Sequence, residues 1–276
     1  MTKPSVAGAD VRSAPAPDSP GRPEISLANK VVVVTGGSSG IGRAIALASA
    51  EAGADVVVTY RTRQRQADEV TARIRGTGRR AHTIQADTSD QEDIERLARE
   101  ARDTFGRVDA WINNAGVDVL TGKTSKRSRT EKLDLLLAVD LRGTVLASWT
   151  AVELMRGQAT GGVILNMSWD QALAGGMKGE YAQLFCAAKG GVAGFSRALA
   201  QTVAPHIRVN ALGPGWVETS YGAELDPKVK TRITESIPLR RWGTAEDVAA
   251  AAVFLCSDAA AYITGQIFMI NGGAVM

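Results

Sequence analysis

The sequence predicts an α/β fold, a single doubly wound domain whose parallel sheet carries helices on both faces. Three observations lead there. Strand-like and helix-like patterns alternate from about residue 28 to the end of the chain. The strands are continuous apolar runs, as strands buried on both faces must be. A glycine-rich turn joins the first strand to the first helix, where such sheets commonly hold a ligand.

Each element has its own justification. "KVVVVTGG" is β-branched and stops at glycine, and the helical "IGRAIALASAEAG" follows as far as Gly53. "DVVVTYR" is the second strand, after which a polar helix runs towards Gly78. "AHTIQAD" makes the third strand, "DQEDIERLAREARDTFG" the third helix and "VDAWINNAG" the fourth strand. One long helix through "EKLDLLLAVDLRGTVLASWTAVELM" leads into the fifth strand, "GGVILNMS". A helix from about Tyr181 precedes "IRVNALGPG", and "TAEDVAAAAVFLCS" precedes the last strand, "QIFMINGG". Residues 1–28, with "SAPAPDSPGRP", are expected to form a mobile tail ahead of the domain at 29–276.

Composition narrows the function classes. The chain has 276 residues, 45% of them hydrophobic, which suffices for one large core. A formal charge of +3, with no stripe of Lys and Arg interleaved with aromatics, argues against a nucleic-acid partner. His82 and His206 are the two histidines, so His-based metal sites and Ser–His triads are excluded. Cys186 and Cys256 sit in apolar helical contexts and read as packed, reduced thiols. No stretch reads as membrane-spanning and no export signal is seen, so a cytoplasmic protein without a membrane partner is expected.

The glycine-rich turn is "TGGSSGIG", Thr35 to Gly42. Gly36 permits a tight turn, Gly40 lets backbone approach a pyrophosphate, and Gly42 allows close helix packing. The helix start then offers unpaired N–H groups and the positive end of its dipole. With "NNAG" at Asn113 to Gly116, "ADTSD" around Asp87, "RVNALGPGWVET" and "ITGQIFMINGG", the chain resembles the short-chain dehydrogenase/reductase family over nearly everything after the tail. The resemblance implies a Rossmann domain with a seven-stranded parallel sheet in the order 3-2-1-4-5-6-7. It also implies a nicotinamide cofactor held by Gly36, Ser38, Ser39, Gly40, Ile41, Gly42, Tyr60, Arg61, Asp87, Thr88, Asn114, Ala115 and Gly116. Lys189, Pro214, Gly215, Val217 and Thr219 complete that implied set, and a homotetramer or homodimer is the implied assembly.

Charge decides between the two nicotinamide nucleotides. An acidic residue at the end of the second strand bonds the adenosine ribose and repels a 2′-phosphate. In this chain Tyr60 holds that place and Arg61 follows, with Arg63 and Arg65 nearby. Forked, charged donors of this kind favour NADP(H) over NAD(H), whereas a merely solvated surface is the competing reading of the same arginines.

The reaction centre departs from the family pattern. The family uses a Tyr as proton donor, a Lys four residues later on the nicotinamide ribose, a Ser on the substrate oxygen and an Asn that links the Lys to solvent. Lys189 in "YAQLFCAAKGG" matches the Lys, but Phe185 stands where the Tyr would be. Trp169 takes the Ser position, with Ser168 beside it on what would be the other strand face, and Asp140 takes the Asn position. Tyr181, Phe185 and Lys189 share one helix face, so Tyr181 is a candidate replacement acid. Its wider spacing from Lys189 resembles that of enoyl reductases in the same superfamily, which leave six residues between Tyr and Lys where seven intervene here. Asp140 beside Lys189 favours a cofactor-gripping ammonium, and Asp170 reads as an exposed loop carboxylate. Tyr181, Ser168, Asp140 and Lys189 are therefore the catalytic candidates. Losing a general acid outright costs about a hundred- to ten-thousandfold in rate.

The substrate is expected to be a small molecule, closed over by the segment that follows Thr219. Two functions fit these residues. One is an NAD(P)-dependent oxidoreductase acting on a carbonyl/alcohol pair, or on a C=C bond, through an atypical site. The other is an NADP(H)-binding protein without ordinary redox turnover, either a non-redox enzyme or a regulatory subunit.

Overall fold

The computed structural model describes residues 25–174, 176–218 and 225–275. Its strands are β1 (Val31–Val34), β2 (Asp55–Tyr60), β3 (Ala81–Gln85), β4 (Ala110–Asn113), β5 (Gly162–Met167), β6 (Ile207–Pro214) and β7 (Ile267–Ile270). All pair in parallel in the order β3-β2-β1-β4-β5-β6-β7, as the family resemblance implied. Helices α1 (Gly40–Glu51), α2 (Gln64–Gly76), α3 (Gln91–Phe105) and α4 (Arg129–Leu136) come first in the chain. They are followed by α5 (Thr144–Arg156), α6 (Ala182–Val203), α7 (Pro227–Ser236) and α8 (Ala245–Cys256).

The apolar strands are divided residue by residue between two cores. Val32, Val34, Val56, Val58 and Ile112 pack with α1, α2 and α8 on one face. Val31, Val33, Val57, Trp111 and Ile164 pack with α3, α5 and α6 on the other. Successive strand side chains point to opposite faces, so burial of both faces demands the unbroken valine runs. Burying a side chain of this size contributes about 1.5–3 kcal/mol, which makes these strands the rigid base of the site.

Two boundaries differ from expectation. Leu27 is fully buried, and its N–H donates to Ala52 O, so packing begins ahead of residue 29. The single long helix predicted through residues 131–155 is broken by a π-helical segment, Leu137–Gly143, between α4 and α5. The continuous run Arg129–Arg156 is long and apolar enough to span a membrane by length and composition, contrary to the sequence reading. Here half of its most apolar window is buried inside the fold, because α5 is a core helix of the α3–α5–α6 layer.

Candidate functional site

The strand order reverses between β1 and β4, so their C-terminal ends feed connections that diverge to opposite sides. A cleft of about 860 Å³ opens there. It is lined at one end by Ser38, Ser39, Tyr60 and Arg61, and at the other by Trp169, Tyr181, Phe185 and Lys189.

The first end is a backbone cradle. Helix α1 starts at Gly40 without a side-chain cap and with no acidic residue in its first turn. Arg43 is the first amide beyond Ser39 with a backbone partner, so the earlier N–H groups face the cleft side unpaired among the described residues. Gly40 has φ 53°, a conformation glycine adopts without steric cost. A Cβ on Gly42 would come within 2.4 Å of Asn114 Nδ2 and Gly36 O, so the turn closes only around glycine. Asn114 binds the turn in place, its Nδ2 donating to Thr35 O at 2.9 Å and to Gly36 O at 3.3 Å. Thr35 Oγ1 accepts from the amides of Asn114 and Ala115, both at 3.0 Å. A bare helix start behind a glycine turn suits a pyrophosphate, so the residues present fit a dinucleotide.

The end of β2 carries the charge. Arg63 Nη1 donates to Ser39 Oγ at 3.0 Å, and Arg61 lies 3.7 Å from the Asp87 carboxylate. Both arginines line the cleft, whereas Arg65 pairs with Glu69 on the outer surface of α2. Tyr60, Thr88, Ala115, Gly116, Pro214, Gly215 and Val217 also line it, as do Gly36, Ile41 and Gly42. Thr219 and the first residues of the segment that follows it lie outside the described residues.

At the second end Lys189 is buried and clamped. Its Nζ is 2.9 Å from Asp140 Oδ2 and donates to Met167 O at 3.1 Å. Asp140 Oδ1 accepts from Val117 N at 2.9 Å. The π-helical segment carries Asp140 to this position, behind the cleft rather than on its surface. Tyr181 takes the N-cap place of α6, and Phe185 N donates back to Tyr181 O, so the shared face with Lys189 forms as predicted. The Phe185 and Trp169 rings meet edge to face, with centroids 6.1 Å apart.

Two sequence expectations are corrected here. Ser168 lines the cleft, but its hydroxyl hydrogen is committed: Oγ donates to Lys189 O at 2.9 Å, as Met167, Ser168 and Trp169 continue the strand alternation and turn Ser168 towards α6. Asp170 is not exposed but 1% accessible, held by Gln171 N at 2.7 Å and Asn271 Nδ2 at 3.3 Å. Burial pushes its carboxyl above the ordinary range, against the pull of those donors. It sits behind Gly215 and does not line the cleft.

Other features escaped the sequence reading. Trp216 and Trp242 pack with centroids 5.2 Å apart and their rings tilted at 48°, and both line the cleft with Met177. The "GPGW" run placed Trp216 beside a predicted cofactor residue, but nothing local to Trp242 announced it. Lys132 is buried as well, its ammonium 3.9 Å from the centre of the Tyr181 ring. Cys256 is a packed thiol, pushed up to about 12 by burial, and Cys186 Sγ contacts Gln171 O at 3.6 Å. Among the described residues no three His, Cys, Asp or Glu side chains gather as metal ligands.

Fold and cleft together define a dinucleotide-binding α/β protein. A family model described as Enoyl-(Acyl carrier protein) reductase matches residues 36–275. A 3-oxoacyl-(acyl-carrier-protein) reductase of Synechocystis sp. is 37% identical over 91% of this chain and 99% of its own. A 3beta-hydroxysteroid dehydrogenase of Eggerthella lenta is 35% identical over 91% of this chain and 95% of its own. Among solved structures, a short chain dehydrogenase from Burkholderia cenocepacia in complex with NADP superposes with a TM-score of 0.80. It is 32% identical over 90% of this chain and 98% of its own. The chain belongs to the short-chain dehydrogenase/reductase family and is an NAD(P)-dependent oxidoreductase.

Proposed function

We propose that the protein interconverts a ketone and a secondary alcohol, with NADP(H) as cofactor and an atypical proton-transfer end to its site. The observation that carries this is the arrangement of the cleft, with an uncapped helix start at one end and the clamped Lys189 at the other. The bound nicotinamide supplies or takes up the hydride. The amides of Gly40 to Gly42 hold the pyrophosphate, Lys189 holds the nicotinamide ribose, and Arg61 and Arg63 hold a 2′-phosphate through charged hydrogen bonds. The NADP named for the Burkholderia structure supports this preference.

In this reading Phe185 replaces the family's phenol, and Asp140 keeps Lys189 on the ribose instead of in a proton relay. Tyr181, one turn earlier on the same face, becomes the proton donor. Trp169, Phe185, Met177 and Leu120 give that end of the cleft apolar walls. A ketone on an apolar body suits them, which accords with the 3-oxoacyl and hydroxysteroid chemistry in the names of two relatives. We place the assembly as a homotetramer built on α5, α6 and β7, where Trp149 is 52% exposed against Phe195 and Met269 lies on the edge strand.

The test is nicotinamide absorbance with NADPH or NADH against 3-oxoacyl thioesters, 3-ketosteroids and an enoyl thioester. Oxidation of NADPH in preference to NADH, on a ketone, is the expected result. Failure of every ketone to oxidise either nucleotide refutes the proposal.

A further inference from the structure

Helix α4 turns two side chains inward, Lys132 and Leu136, one turn apart. Leu136 is an ordinary core residue, but Lys132 is 1% exposed, and lysines are almost never so buried unless paired. Around them lie Val119, Leu184 and Ala188, with Val117, Leu120 and Phe185 packed against that cluster. Among the described residues the recorded partner of the Lys132 ammonium is the face of Tyr181, 3.9 Å from Nζ to ring centre. An aromatic face at that distance attracts a cation, more strongly when both are desolvated.

The pairing has a register. The helical run that brings Lys132 to Tyr181 brings Asp140 to Lys189, and the interval is eight residues on both sides. The run from α4 into the π-helical segment thus grips two polar positions that line the cleft, Tyr181 at the N-cap of α6 and Lys189 within it, with Phe185 between them. An apolar residue at 132 would fit this cluster at lower desolvation cost, so a buried ammonium here is explained by what it does to Tyr181.

We propose that Lys132 is a positioning residue: its ammonium seats the Tyr181 ring at the cleft wall and steadies the phenolate formed when Tyr181 gives up its proton. This rests on the reading of Tyr181 as proton donor. In that step the carbonyl carbon accepts hydride from the reduced nicotinamide, and the C=O π electrons pass to oxygen. That oxygen takes the Tyr181 hydroxyl proton. Alcohol and oxidised nicotinamide result, and the phenolate is reprotonated from water.

Lys132→Met, Lys132→Arg and Tyr181→Phe, with the double variant Lys132→Met/Tyr181→Phe, test this with NADPH and the best ketone found. Lys132→Met should lower kcat roughly thirtyfold, the scale of a desolvated cation–π contact. NADPH affinity by calorimetry should stay unchanged, and the melting temperature should hold or rise. Lys132→Arg should recover most of the rate, and Lys132→Met should cost nothing further in the Tyr181→Phe background. Native kcat in Lys132→Met, an equal loss in both backgrounds, or a loss of rate that follows NADPH affinity would overturn the positioning role. If the native protein turns over no ketone, the underlying reading fails before any variant is compared, and the positioning role falls with it.

Discussion

Removing the ammonium of Lys189 leaves the Asp140 carboxylate buried, with the backbone amide of Val117 as its remaining donor among the described residues. Breaking a buried pair from one side costs about 3–5 kcal/mol, so Lys189→Ala should be markedly less stable. Removing both charges in Asp140→Asn/Lys189→Met should recover much of that stability by thermal melting. NADPH binding should remain weakened in both variants, which separates the ribose contact from folding. Restored affinity in the double variant would show that Lys189 does not hold the cofactor. At the other end of the cleft, Arg61→Ala/Arg63→Ala should weaken NADPH by about tenfold or more while leaving NADH nearly unchanged, since two charged phosphate contacts are lost. Equal weakening of both nucleotides would return these arginines to the solvated surface.

Helix caps show how the elements answer to pH. Thr244 and Asp247 form a reciprocal capping box at the start of α8, and Arg241 donates to Asp247 at 3.0 Å through Nη2. The Arg241 side-chain hydrogen bond, followed by the Thr244 amide, draws the Asp247 carboxyl down to about 2. A folded value below the unfolded one means that this stabilisation is present above the ordinary 3.8 and is lost as pH falls towards 2. Asp247→Asn should therefore lower the melting temperature at pH 7 and flatten its decline in that acid window. An unchanged acid limb would contradict the assignment. The strands were largely legible because each follows from local pattern, valine runs and glycine stops, whereas the Thr244–Asp247 box was not read from "TAEDVAAAAVFLCS". The π-helical break was not, because nothing in "LLAVDLRG" departs from an α-helical pattern, and the break places Asp140 opposite a residue about fifty positions away. Lys132 escaped for a related reason. One of three charges in "TEKLDLLLA", it reads as a solvated position until α6 is packed against it.

Across the whole molecule, one cleft unites motifs spread from Gly36 to Trp242, and the parallel sheet sets their spacing. The nucleotide end could be read from sequence because backbone and glycine do its work. The proton end depends on side chains that meet only in the fold, so the sequence showed which groups had changed but not that Ser168 and Asp170 were committed elsewhere. If α5 and α6 form a subunit interface, Trp149→Arg should convert the native oligomer to smaller species by light scattering; an unchanged mass would rule out that face. The most direct measurement of the central claim is single-turnover NADPH oxidation on a reactive ketone by the native protein and by Tyr181→Phe, with NADPH affinity determined in parallel. The account predicts a hundredfold or greater loss in Tyr181→Phe at unchanged affinity, as removal of a general acid requires. Native rates in Tyr181→Phe would contradict it.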